Sequence, residues 1–184
     1  MEQVRRESIV SNSEYLASRP TLRPEILAIK ADRRIHLGTY LTFLFETTET
    51  MRYQIQEMMR LEGLEDEKDI QHELTTYNEL LGGPGELGST LLIEIADPLQ
   101  RDILLRNWLD LPKHLYIQLD NGSQAPAEFD PRQVGDDRLS SVQYLKFRCG
   151  HAQPTAIGLN KPGLELTVML TERQRLALAE DLAR

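Results

Sequence analysis

The chain is short of histidine, cysteine and positive charge. With Cys149 as its one cysteine, it cannot form an internal disulfide, a CxxC pair or an iron–sulfur centre held by its own thiolates. Lysine and arginine number 21 against 29 aspartate and glutamate, a net charge of −8. That balance excludes a general nucleic-acid or anionic-membrane surface, because either needs a basic face to neutralise phosphate. The one compact basic group, Lys30, Arg33 and Arg34, falls at the end of an expected helix, where cations suit the macrodipole. Aromatics are also few, and Tyr144 and Phe147 fall on opposite faces of one expected strand, so no stacking platform for bases is implied. No window approaches the roughly 18 apolar residues of a membrane span. No long apolar run follows Arg5 and Arg6, so no secretory leader is read there. The expectation is a cytoplasmic protein that binds neither nucleic acid nor membrane.

A length of 184 residues suits one domain, with 1–22 as an N-terminal arm, 47–82 as a helical hairpin and 112–171 as mainly β. A short helix is predicted over 13–18, ended by Arg19-Pro20, and a firmer one from Pro24 to Arg33, with proline in its first turn. Ile35, Leu37, Leu41, Phe43 and Phe45 alternate, which predicts one strand over 35–45. Two helices follow, over 48–62 and 67–81, joined by Gly63-Leu64-Glu65-Asp66; so short a link makes an antiparallel pair. The run Gly82-Gly83-Pro84-Gly85 ends the second helix. It lacks the Lys-Ser/Thr of a phosphate loop and follows a helix where such loops follow a strand.

Beyond it come a strand over 89–96, a helix from Pro98 capped by Asp97, and strands over 114–119 and 125–129 joined at Asn121-Gly122. A strand over 139–148, a loop over 151–163, a strand over 164–170 and a helix capped by Thr171 complete the chain. This order predicts an α+β fold, a mostly antiparallel sheet with the α-helical hairpin and further helices packed against it. A doubly wound parallel sheet, a jelly roll and a barrel fit less well.

The hairpin carries the candidate chemistry. At 3.6 residues per turn, Met51, Ile55, Met58 and Met59 form one stripe, with Gln54 inside it and Glu57 at its edge. On the second helix, Ile70, Leu74, Tyr77 and Leu81 form the facing stripe, and Glu73 lies between Tyr77 and Leu80. Closure on these faces would bring Gln54, Glu57, Glu73 and Tyr77 together, with Glu46 and Glu94 on adjoining strands. Such carboxylates can pair with Arg34, Arg52 or Arg60 as a structural network, hold a metal, or act as acid or base. Helical di-iron sites add Glu-x-x-His pairs, and the nearest equivalent is Asp69-x-x-His72, with His72 turned from the apolar stripe. Cys149 and His151 have the right types for a thiolate–imidazole pair, yet so close in sequence they do not point together.

The segments IKADRRIHLGTYLTFLFETTETMRYQIQEMMRLEG, ELTTYNELLGGPGELGSTLLIEI and LTERQRLALAEDL resemble a bacterial family known as domain of unknown function 3501. The resemblance spans nearly the whole chain and falls on Glu46, Tyr53, Gln54, Gln56, Glu57, Met58, Glu73, Tyr77, Asn78 and Glu94. It implies no assigned activity. Genes of the family often neighbour those of rubrerythrin-like and iron–sulfur reductase-like proteins, which implies a redox or peroxide-defence context.

Three functional expectations follow. The first is an accessory protein that docks with an iron–sulfur reductase-like or rubrerythrin-like partner, through a polar constellation of Glu46, Tyr53, Gln54, Glu57, Glu73, Tyr77, Asn78 and Glu94. The second is a carboxylate-site protein holding iron, manganese or zinc with Glu46, Glu57, Glu73 and His72. The third is a metal-free small-molecule binder or enzyme using Glu57 and Tyr77. A homo-oligomer is compatible with all three.

Overall fold

The computed structural model describes residues 1–184, the side chain of Gln133 apart. Five helices and eight strands follow one another as α1 (Asn12–Ala31), β1 (Arg34–Leu37), β2 (Leu41–Phe45), α2 (Thr48–Glu62), α3 (Glu67–Asn78), β3 (Glu86–Ile93), α4 (Pro98–Asn107), β4 (Leu115–Leu119), β5 (Gln124–Glu128), β6 (Val142–Arg148), β7 (Pro154–Lys161), β8 (Leu164–Met169) and α5 (Glu172–Ala183). The strands form one sheet in the order β1-β2-β3-β6-β5-β4-β7-β8, and every pairing is antiparallel. The α+β reading therefore holds. No helix is long and apolar enough to cross a membrane.

The antiparallel sheet curls toward the barrel form that fitted the sequence less well. A Cβ built on Gly38, in the β1–β2 turn, would lie 2.8 Å from Leu166 on β8, so the two ends of the sheet nearly meet. Strand twist accumulates in one sense and drives such closure. The enclosed core includes Phe43, Phe45 and Phe147, with ring centroids 6.2 to 6.5 Å apart. Leu105, Trp108 and Leu111 pack into it after β3, and Leu170 and Leu178 from the final segment. Each fully buried phenylalanine contributes about 1.5–3 kcal/mol.

Three further elements differ from expectation. The two predicted N-terminal helices are one, Asn12–Ala31, running through Pro20 and Pro24. Both prolines sit on the solvent side, where water can satisfy the carbonyls of Leu16 and Pro20 that lose their helical donors. The single strand predicted over 35–45 is a hairpin, because Gly38 at φ 63° reverses the chain and pairs Ile35 with Phe43. The loop expected over 151–163 holds β7. Ala156, Ile157, Gly158 and Leu159 are all buried, so the strand is covered on both faces and shows no alternation. Gly158 reads as a loop residue in sequence, yet it makes room for the ring of Tyr116 directly opposite: a Cβ there would lie 2.1 Å from Tyr116 Cζ.

α3 ends at Asn78, earlier than the predicted 81, and the glycine run after it works by close approach. A Cβ on Gly88 of β3 would lie 2.0 Å from the carbonyl oxygen of Leu80, and one on Gly82 2.2 Å from that of Glu86. The chain leaving α3 thus passes directly over the start of β3. Gly88→Ala is expected to cost on the order of 1–3 kcal/mol by overpacking against fixed backbone, read as a lower urea midpoint with an unchanged slope.

Candidate functional site

The hairpin begins where β2 runs into Glu46 and α2. Thr47 caps α2 through a reciprocal bond pair with Thr50, and Gly63 ends it in the left-handed region at φ 65°. The helices do not close on each other alone. Val4 and Ile9 insert between them and form a second core with Met51, Ile55, Met59, Ile70, Leu74 and Leu81. The amino-terminal segment therefore supplies a wall of the hairpin.

Two side-chain amides hold that segment by its backbone. Gln56 Oε1 accepts from Val10 N–H at 2.8 Å while its Nε2 donates to the Val10 carbonyl at 3.2 Å. Asn78 repeats the pattern on Val4, accepting at 2.8 Å and donating at 3.0 Å. Each amide thus completes one rung that a neighbouring strand would otherwise supply. Asn78 belonged to the expected constellation. Gln56, buried to 3 % exposure, was left off the apolar stripe because the amino-terminal segment covers a flank that helical periodicity assigns to water. The signal in the sequence that did reach Gln56 was the family resemblance.

The expected meeting of Gln54, Glu57 and Glu73 occurs only in part. Gln54 and the carboxylate of Glu73 both lie close enough to act on the phenol of Tyr77, whose pKa burial above all raises. Burial, then the negative charge of Glu62, pushes the Glu73 carboxyl above its usual range. Glu57 turns the other way, toward α1. It accepts from Tyr15 Oη at 2.5 Å, from Arg19 Nε at 2.5 Å and Nη2 at 3.1 Å, and from Arg60 Nη2 at 2.9 Å. Arg19 above all holds its carboxyl down at about 2. Glu57 is thus a saturated tie between α1 and α2.

The remaining expected residues stand apart. Glu46 is buried, with no cation in contact; Thr50 and Thr90 hydroxyls donate to its two oxygens at 2.8 and 2.7 Å. Burial raises its pKa. Glu94 is exposed and accepts from Thr42 at 2.5 Å, and Thr42 in turn contacts His36 Nδ1 at 2.9 Å. His72 is exposed. Tyr53 meets Tyr15 edge-on at 6.3 Å, and Lys30 Nζ lies 5.7 Å above its ring. Glu46, Glu57 and Glu73 are each engaged in separate surroundings, and among the described residues no three His, Cys, Asp or Glu side chains gather as a metal-binding group. Cys149 is buried, its thiol pushed up to about 12 by desolvation, while His151 is exposed.

One surface feature was not read from sequence. The side of α1 away from the hairpin carries Leu16, Ala17, Pro20, Pro24, Leu27 and Ala28, all exposed, across roughly 120° of the helix circumference. Leu16 and Leu27 are 54 % and 51 % exposed. Arg23 and Lys30 flank this face on one edge, Glu14 and Glu25 on the other. The division of 1–33 into two helices hid it, since the stripe exists only when one helix runs through both prolines.

Glu57 and Glu46 should pull stability in opposite directions. The folded pKa of Glu57 lies below the unfolded value near 4.5, so its contribution is complete above about 4.5 and is lost as pH falls toward 2. Glu57→Gln should therefore cost on the order of 1–3 kcal/mol at neutral pH and flatten the acid limb of the stability curve. The folded pKa of Glu46 lies above the unfolded value, so the protonated form favours folding and stability falls as pH rises from about 4.5 through the folded pKa. Glu46→Gln should gain on wild type across that rise. Urea titrations across the pH range check both signs.

The comparisons agree with this architecture. The model of a family described as "Protein of unknown function (DUF3501)" matches residues 3–182. A crystal structure at 1.90 Å of a novel protein of unknown function from Burkholderia pseudomallei K96243 is 27 % identical, covers 98 % of this chain and 100 % of its own, and superposes with a TM-score of 0.90. No curated protein matches. With a family model spanning nearly its whole length, the chain belongs to the DUF3501 family.

Proposed function

We propose that the chain is an accessory protein that docks with a redox partner, an iron–sulfur reductase-like or rubrerythrin-like protein, through the outer face of α1. The observation that carries this reading is the contrast between the hairpin and that face. Four polar groups at the hairpin are spent internally: Glu57 on three donors, Gln56 and Asn78 on backbone, Glu46 on two hydroxyls. The apolar face of α1, on a helix of 20 residues and so about 30 Å long, is left exposed. Contiguous exposed apolar surface with polar edges is the usual mark of a protein contact. Its edges differ in sign, basic at Arg23 and Lys30 and acidic at Glu14 and Glu25, so a partner helix carrying the opposite signs would be held in one direction. The redox identity of the partner comes from the family resemblance.

The test is capture of the purified rubrerythrin-like and iron–sulfur reductase-like neighbours by immobilised protein, with and without Leu16→Glu/Leu27→Glu. Both side chains are half in water, so the fold and its thermal unfolding should be unchanged. Binding should fall by about tenfold or more, the loss expected when central apolar contacts are replaced by charge. Absence of a complex with either neighbour, or capture indifferent to the two substitutions, would overturn the reading. Self-association abolished by the same variant would assign the face to a second copy, and would equally overturn it.

A further inference from the structure

On the opposite side of α1, a cleft of about 190 Å³ lies between α1, α2 and the amino-terminal segment. Its apolar wall is built by Val10, Leu22 and Ile26 with the ring of Tyr15, and its polar side by Arg52 and Tyr53. The charges around it are unusual for a chain of net charge −8. Arg52 is half-buried, and its side chain has no hydrogen bond or ion pair among the described residues. Lys30, over the ring of Tyr53, likewise has no carboxylate in contact. Glu49 also lines the cleft, but it is occupied by Arg184 at 3.2 and 3.3 Å. Arg52, a cation with no acid in contact, therefore lines a recess with an apolar wall, and Lys30 lies nearby over the ring of Tyr53.

We propose that this cleft is a binding site for a small monocarboxylic acid with a compact apolar body. The carboxylate meets the guanidinium of Arg52, which offers paired donors in the geometry a carboxylate accepts. The hydrocarbon part lies on Leu22, Ile26 and Val10. The volume suits an acid of the size of benzoate or hexanoate. An inorganic phosphate would leave the apolar wall uncovered, so the wall favours an organic acid. The site is independent of the outer face of α1 and of any docking there.

Calorimetric or NMR titration of the full chain with benzoate and hexanoate tests this, with benzamide as the neutral isostere. Saturable binding in the millimolar range is expected for both acids. Benzamide should bind about tenfold or more weakly, the difference a charge-assisted bidentate contact makes. Arg52→Gln should weaken the acids to the level of benzamide, while Arg52→Lys keeps part of the affinity. Arg52 has no partner to lose, so circular dichroism of both variants should match wild type, and the comparison of acid with amide needs no variant at all. No saturable binding of either acid, equal binding of benzamide, or acids that bind Arg52→Gln as well as wild type would each overturn the proposal.

Discussion

The grip of two side-chain amides on a passing backbone underlies the helical half of the molecule. Gln56 and Asn78 each satisfy both backbone groups of one residue, Val10 and Val4. An unpaired backbone group in that position would cost about 1–3 kcal/mol. By fixing the segment, they place Val4 and Ile9 between α2 and α3 and complete a core that the hairpin could not close by itself. The same segment leads into the Ser11 cap of α1, so the direction of α1 along α2 follows from the grip. Tyr15 and Arg19 then reach Glu57, and Arg33 at the far end reaches Asp181 on α5 through two hydrogen bonds of 2.8 and 2.9 Å. Helix α1 is pinned at both ends, and what it turns outward is decided by what it must turn inward.

This arrangement divides the acidic residues into three kinds. Glu57 is fully ionised and tied down; Glu46 is sheltered and favours its proton; Glu73 is partly sheltered among other acids, Glu62 and Asp69. None shares a centre with another. What remains for binding is on either side of α1: an apolar strip facing solvent and a recess lined by Arg52, a cation with no acid in contact. A protein that spends its carboxylates on architecture and leaves one helix to meet other molecules is built as an adaptor.

Much of the fold was legible in the sequence wherever burial is one-sided. β8 alternates along its length, α2 and α5 begin directly after their caps Thr47 and Thr171, and α2 ends at Gly63, because these residues act locally. Legibility failed where tertiary context reverses a local signal. Pro20 and Pro24 stop a helix on propensity alone, but they fall on a solvated side of α1 and are carried through. Gly158 sits in a run that looks like a loop, because its purpose is the ring of Tyr116 on another strand. The same limit governed the site. Helical periodicity placed Gln54, Glu73 and Tyr77 correctly as neighbours. It misdirected Glu57 and overlooked Gln56, since Tyr15 and Arg19, which turn Glu57 away, and Val10, which Gln56 holds, come from the first nineteen residues, which periodicity within the hairpin cannot see.

The central claim is that Gln56 and Asn78 hold the amino-terminal segment in its groove. Amide hydrogen exchange at Val4 and Val10, followed in wild type and in Gln56→Ala, measures this directly. Protection of both amides in wild type, with loss at Val10 well beyond that at Val4 in the variant, is the predicted result. Exchange of the wild-type Val4 and Val10 amides at the rate of an unstructured peptide would contradict it, and with it the placement of α1.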